Sequence, residues 1–150
     1  MVKLDVVLGL LRSLESNLEL LKPLRAEPLA ALTSDLVRYN GMLHLLQLSV
    51  QHVTDIGAHL VAAAPLATPG DYKEVIMAMG LHGILPYEFA ERIAPMAGFR
   101  NIIVHEYLTV DPTRVHDILQ NRLGDFEEFV EYIYDYLRRE GYLTDKEPHA

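Results

Sequence analysis

Apolar residues recur at three- and four-residue steps along almost the whole chain, the spacing of helices that bury one stripe. Leu4, Val7, Leu8, Leu11, Leu14, Leu18 and Leu21 draw the first stripe, and Pro23 and Pro28 close it. Thr33, Ser34 and Asp35 are good N-cap residues for a second helix running to about Ala64 through Leu36, Met42, Leu43, Leu46, Val50, Val53, Ile56 and Leu60. A loop follows from Pro65 to Gly70. Asp71 with Glu74 three places on then forms a reciprocal-capping pattern, predicting a short helix to about Leu81.

Gly83 ends that helix and Pro86 suits the first turn of the next. The fourth element extends through Arg100 to Tyr107, with Pro95 and Gly98 as irregularities inside it. Asp111-Pro112 is a cap followed by proline and predicts a last helix continuing to Arg139. No stretch alternates with period two long enough to make a strand. The pattern predicts an all-α up-down bundle of four long helices and one short one, a single domain over residues 1–150 with a frayed tail at 144–150.

Composition narrows the function. The chain has no cysteine, which removes disulfides, thiolate metal sites and cysteine nucleophiles. Charged residues interrupt the N-terminal stripe and no apolar run reaches membrane-spanning length, so a cytoplasmic location is expected. A formal net charge of -8 makes the chain a poor general binder of polyanions. If it acts on RNA, it does so through a small local basic site.

The stretch Arg100-Asn101-Ile102-Ile103-Val104-His105-Glu106-Tyr107 places a guanidinium, an amide, an imidazole and a phenol in an apolar segment. At about 100° per residue, Arg100 and His105 fall roughly 140° apart around a helix. They flank a face instead of stacking on it, and a two-fold partner would bring two such pairs into one cleft. A neutral imidazole can take a proton from a ribose 2′-hydroxyl or deliver one to a leaving oxygen. A guanidinium grips a phosphate and stabilises charge developing there. Asn101, one turn before His105, can orient the imidazole or donate to a phosphoryl oxygen. By spacing alone, a satisfied polar seam on a helix accounts for the same residues.

Ala97-Gly98-Phe99-Arg100-Asn101-Ile102-Ile103-Val104-His105-Glu106-Tyr107 resembles the signature of the HEPN superfamily, and the tyrosine two residues after the histidine is similar to its HepT branch. Asp71-Tyr72, Gly83-Ile84-Leu85-Pro86 and Asp125-Phe126-Glu127-Glu128-Phe129 share the likeness, as does Gln47 to His59 more loosely. The resemblance implies a helical homodimer acting as a ribonuclease toxin of a type VII-like toxin–antitoxin system, on tRNA or mRNA, with no cofactor. Catalysis would fall to Arg100, Asn101 and His105 at the dimer cleft. The implied partner is an MntA-like nucleotidyltransferase that silences the toxin by transferring AMP units to Tyr107. A rival reading from another class is a non-catalytic helical subunit that binds substrate or nucleotide for such a transferase.

Other constellations carry less. His52, Asp55 and His59 share one face of the second helix at a spacing that suits a metal, but no fourth ligand is evident and no metal is expected. The remaining histidines, His44, His82, His116 and His149, read as surface or helix-end residues. Asp125, Glu127, Glu128, Glu131 and Asp135 alternate with Tyr132, Tyr134 and Tyr136, which reads as a solvated acidic face with aromatic edges packed inward. An antitoxin-docking surface is the alternative. Arg38, beside Tyr39 and Asn40, is a candidate RNA-binding residue at the cleft. Met42, Met77, Met79 and Met96 read as core filler.

Overall fold

The structure is a computed structural model that describes residues 2–62, 71–98 and 111–144. It is all-α, and no strand occurs among the described residues. Helix α1 (Leu4–Leu21) leads through a 3₁₀ turn (Lys22–Ala26) and the short α2 (Leu29–Thr33) into the long α3 (Leu36–Ala62). Then come α4 (Tyr72–Leu81), α5 (Tyr87–Ile93), α6 (Pro112–Asn121) and α7 (Leu123–Arg139). No helix among the described residues is long and apolar enough to cross a membrane.

The first stripe becomes the face that α1 lays against α3: Val7, Leu11, Leu14, Leu18 and Leu21 are all buried. They meet Leu46, Val50, Val53, Ile56 and Leu60 of α3, and Phe126, Phe129, Ile133 and Leu137 of α7 complete the core. Tyr134 is buried on the same face, and its hydroxyl donates to Glu15 Oε1 of α1 at 2.7 Å. The tyrosines of α7 do point inward: Tyr132 meets the Phe89 ring edge-on at 4.8 Å between centroids, and Tyr136 packs partly against the core.

Two helix starts follow their caps. Asp71 Oδ1 accepts from the Glu74 backbone N–H at 2.7 Å, and Asp111 Oδ1 from the Thr113 N–H at 3.0 Å with Pro112 in the first turn. Gly83 takes φ +73°, a left-handed conformation glycine adopts without a Cβ clash, and its carbonyl accepts from Arg139 at 2.7 Å.

Three boundaries differ from expectation. The residues between Leu21 and Leu36 form a 3₁₀ turn and a five-residue helix, because Pro23 and Pro28 start turns here as well as ending one. α5 ends at Ile93, residues 94 and 95 form a turn and helix resumes at 96–98. Pro95 has no N–H to donate to the carbonyl four residues back, although Ala94 keeps helical geometry. The irregularity expected at Pro95 is thus a full interruption, and the expected continuation through Arg100 to Tyr107 lies outside the described residues. The last helix is two helices. Arg122, at φ -117° and ψ -2°, ends α6 and begins α7. The domain-level expectation for 144–150 falls mostly on residues 145–150, which lie outside the described residues.

Candidate functional site

Arg100, Asn101, His105 and Tyr107 lie outside the described residues, which flank the motif up to 98 and from 111. On the upstream side Ile93, Ala94 and Ala97 are buried in the core. Backbone bonds from Ala97 N–H to the Ala94 carbonyl (3.2 Å) and from Gly98 N–H to the Pro95 carbonyl (3.1 Å) open the helical segment at residues 96–98. On the downstream side α6 is held by buried Val115 and Leu119 and capped by Asp111. The described residues on both sides of the motif are therefore anchored in one hydrophobic core.

Tyr39 of α3 stands near the downstream end. Burial raises the pKa of its phenol above the ordinary 10.0, and the Asp111 carboxylate adds to that effect. The hydroxyl is buried without a hydrogen-bond partner among the described residues. Its neighbour Arg38, the candidate RNA contact, is exposed and pairs with the Glu27 carboxylate, while its backbone N–H donates to Asp35 Oδ1 at 3.2 Å. Glu27 in turn offers its backbone carbonyl to His116 Nε2 of α6 at 2.9 Å. His116 is thus a tie between the turn region and α6, not the bare surface residue expected from the sequence.

A cavity of about 290 Å3 opens beside the upstream flank, where α6 breaks into α7. Val50, Ile93, Ile118 and Phe126 give it an apolar floor, and Arg114, Asp117, Arg122 and Asp125 form a polar rim. Arg122 Nε pairs with Asp125 Oδ2 at 3.2 Å, and an Arg122 guanidinium N–H donates to the Arg92 carbonyl at 3.1 Å. Arg92 also pairs with Asp125 at 3.4 Å and with Glu128. Sequence reasoning missed this feature because its residues are far apart in the chain. Gly124, just past the break, was the one local hint.

The His52, Asp55 and His59 face is not assembled as a ligand set. Asp55 accepts from Gln51 Nε2 at 2.8 Å, and among the described residues no group of three or more histidines and carboxylates is placed to hold a metal. His52 sits half-buried at the core's edge with its Nδ1 unpartnered among the described residues, and burial lowers its pKa from 6.5, partly opposed by Asp55.

The chain's relatives point to one family. The chain is 34% identical over 93 residues to a tRNA nuclease HepT from Aphanizomenon flos-aquae, an alignment covering 62% of this chain and 63% of that one. It is 26% identical over 88 residues to an mRNA nuclease HepT from Shewanella oneidensis, covering 59% of this chain and 66% of that one. The chain thus matches just under two thirds of each. Among solved structures, the Bacillus subtilis cytosolic protein YutE superposes with a TM-score of 0.81 over 96% of both chains at 15% identity. A tri-AMPylated Shewanella oneidensis HEPN toxin, solved in complex with an MNT antitoxin, gives 0.78 over 87% of this chain and 98% of that one at 19% identity. At such identities these two show the fold. The family model for HepT-like ribonucleases matches residues 14–133, a span that contains the whole Arg100–Tyr107 motif, and the chain belongs to that family.

Proposed function

We propose that this chain is the toxin of a type VII-like toxin–antitoxin pair, a metal-independent endoribonuclease working in the cytoplasm on tRNA or mRNA. The observation that carries the reading is the family match over residues 14–133, a span within which Arg100 to Tyr107 lie. His105 removes the proton of a ribose 2′-hydroxyl, and the 2′-oxygen attacks the adjacent phosphorus. The P–O5′ bond breaks, the leaving oxygen is protonated, and a 2′,3′-cyclic phosphate and a 5′-hydroxyl remain. Arg100 stabilises the phosphoryl oxygens while charge develops on them, and Asn101 orients the imidazole.

Arg100 and His105 are poorly placed for each other on a single helix, so the working site is a cleft between two copies of the chain. A neighbouring MntA-like nucleotidyltransferase silences the enzyme by adding AMP to Tyr107, two residues from His105. An added phosphodiester beside Arg100 blocks the phosphate site by charge and by volume. Arg38 serves as a secondary RNA contact, within the limit set by its pairing with Glu27.

Expression of the chain without its neighbouring transferase should arrest growth, and His105→Ala should relieve the arrest. Intact RNA and normal growth with the wild-type chain would contradict the reading. Co-expression with the transferase should increase the intact mass by whole AMP units that map to Tyr107. Modification at another residue would remove Tyr107 from its role.

A further inference from the structure

We propose that the cavity at the α6–α7 break is a nucleotide subsite that takes one nucleoside monophosphate unit next to the motif. Its position comes first. Pro95 and Met96 line the cavity, and Met96 precedes Arg100 by four residues, a separation that a chain cannot stretch beyond about 14 Å. The cavity therefore lies within a few nucleotide lengths of the motif whatever path the intervening residues take.

Its chemistry fits the three parts of a nucleotide. A floor of buried Val50, Ile93 and Phe126 with half-buried Ile118 offers a base an apolar surface. At about 290 Å3 the space is at the small end of ligand pockets and suits one base, not several. Asp117 Oδ1 accepts from Asn121 Nδ2 at 2.6 Å, which fixes the carboxylate and leaves its other oxygen free to accept from a ribose hydroxyl or an exocyclic amine.

The charge of the rim decides where the phosphate goes. Arg122 and Asp125 are bound to each other and to their neighbours, so their charges are largely spent within the wall. Arg114 stands in the first turn of α6, exposed, with no ion pair or hydrogen bond among the described residues. On a chain of net charge -8 it is an unengaged guanidinium at the mouth of an apolar pocket. That is the arrangement that grips a phosphate while the base is buried.

The source of the nucleotide rests on the ribonuclease reading: it is either a residue of the RNA substrate or an AMP unit carried on Tyr107. Binding itself does not depend on cleavage, so the test uses the His105→Ala protein, titrated with AMP and followed by amide chemical shifts. AMP should perturb Val50 and Ile118, and Arg114→Ala should weaken it at least about fivefold while Arg114→Lys retains most of the affinity. Ribose 5-phosphate should bind more weakly than AMP. A short oligoribonucleotide that displaces AMP identifies RNA as the source, whereas loss of AMP binding only after nucleotidylation of Tyr107 identifies the modification. No binding, binding indifferent to Arg114→Ala, binding that depends on Arg100 instead, or binding that neither source displaces would overturn the proposal. RNA left intact by the wild-type chain while AMP still binds would sink the ribonuclease reading and leave the subsite standing.

Discussion

His52 shows how a single side chain acquires a pH dependence from its surroundings. Its imidazole is half-buried on α3, with Nδ1 lacking a partner among the described residues and its pKa below the ordinary 6.5. The unfolded chain, with His52 near 6.5, therefore binds a proton more readily than the folded one. The stability from keeping His52 neutral is present above pH 6.5 and is lost as pH falls from there toward the lowered folded value. Urea midpoints measured between pH 7.5 and 5.5 should fall more for the wild-type chain than for His52→Gln. Parallel curves for the two would show that His52 titrates alike in both states. His116 offers a second check. Its bond to the Glu27 carbonyl joins parts of the chain far apart in sequence, so His116→Ala should cost about 1 kcal/mol of unfolding free energy.

Packing between elements depends on close approaches as much as on apolar area. Gly80 of α4 faces Ala90 of α5, and a Cβ built at Gly80 would stand 2.8 Å from the Ala90 Cβ. Alanine would favour the helix by up to about 1 kcal/mol. Neither Cβ can swing aside, however, and overpacking of this kind typically costs about 1–3 kcal/mol. Gly80→Ala should therefore lower stability, with a reduced denaturation midpoint; an increase would mean that α4 and α5 separate freely.

The same elements show what a one-dimensional pattern conveys. The α1 and α3 stripes and the Asp71 and Asp111 caps were legible because each is written in adjacent residues. The α6–α7 break was not, because Val115, Leu119, Leu123, Phe126, Val130 and Ile133 stay in helical phase straight through Arg122. The motif was legible for the same reason as the caps: its groups sit within eight consecutive residues. The cavity beside it draws on residues from Val50 to Phe126, which only folding brings together.

At the scale of the whole molecule, the charge of -8 and the phosphate grip that the proposed activity requires pull in opposite directions. Local arginines resolve this if contacts to RNA are few, which makes binding only weakly dependent on salt. Two phosphate contacts would give a slope of about -1.4 in a plot of log affinity against log salt for a single strand. A much steeper slope would require a broad basic surface that this composition does not offer. The proposed sharing of the site between two copies makes a further prediction. Neither Arg100→Ala nor His105→Ala homodimers should cleave, but mixed dimers of the two should recover measurable activity, each retaining one intact Arg100 and one intact His105. Mixtures as inactive as the parents would show that each copy works alone.

The most direct test of the central claim is cleavage of RNA by the purified, unmodified chain in excess chelator, compared with His105→Ala. Wild type should cut RNA and leave 2′,3′-cyclic phosphate ends. A single 2′-deoxy substitution at the cut position should block cleavage, and the variant should be slower by about 10²–10⁴. RNA that stays intact, or that is cut equally well by His105→Ala, would contradict the account.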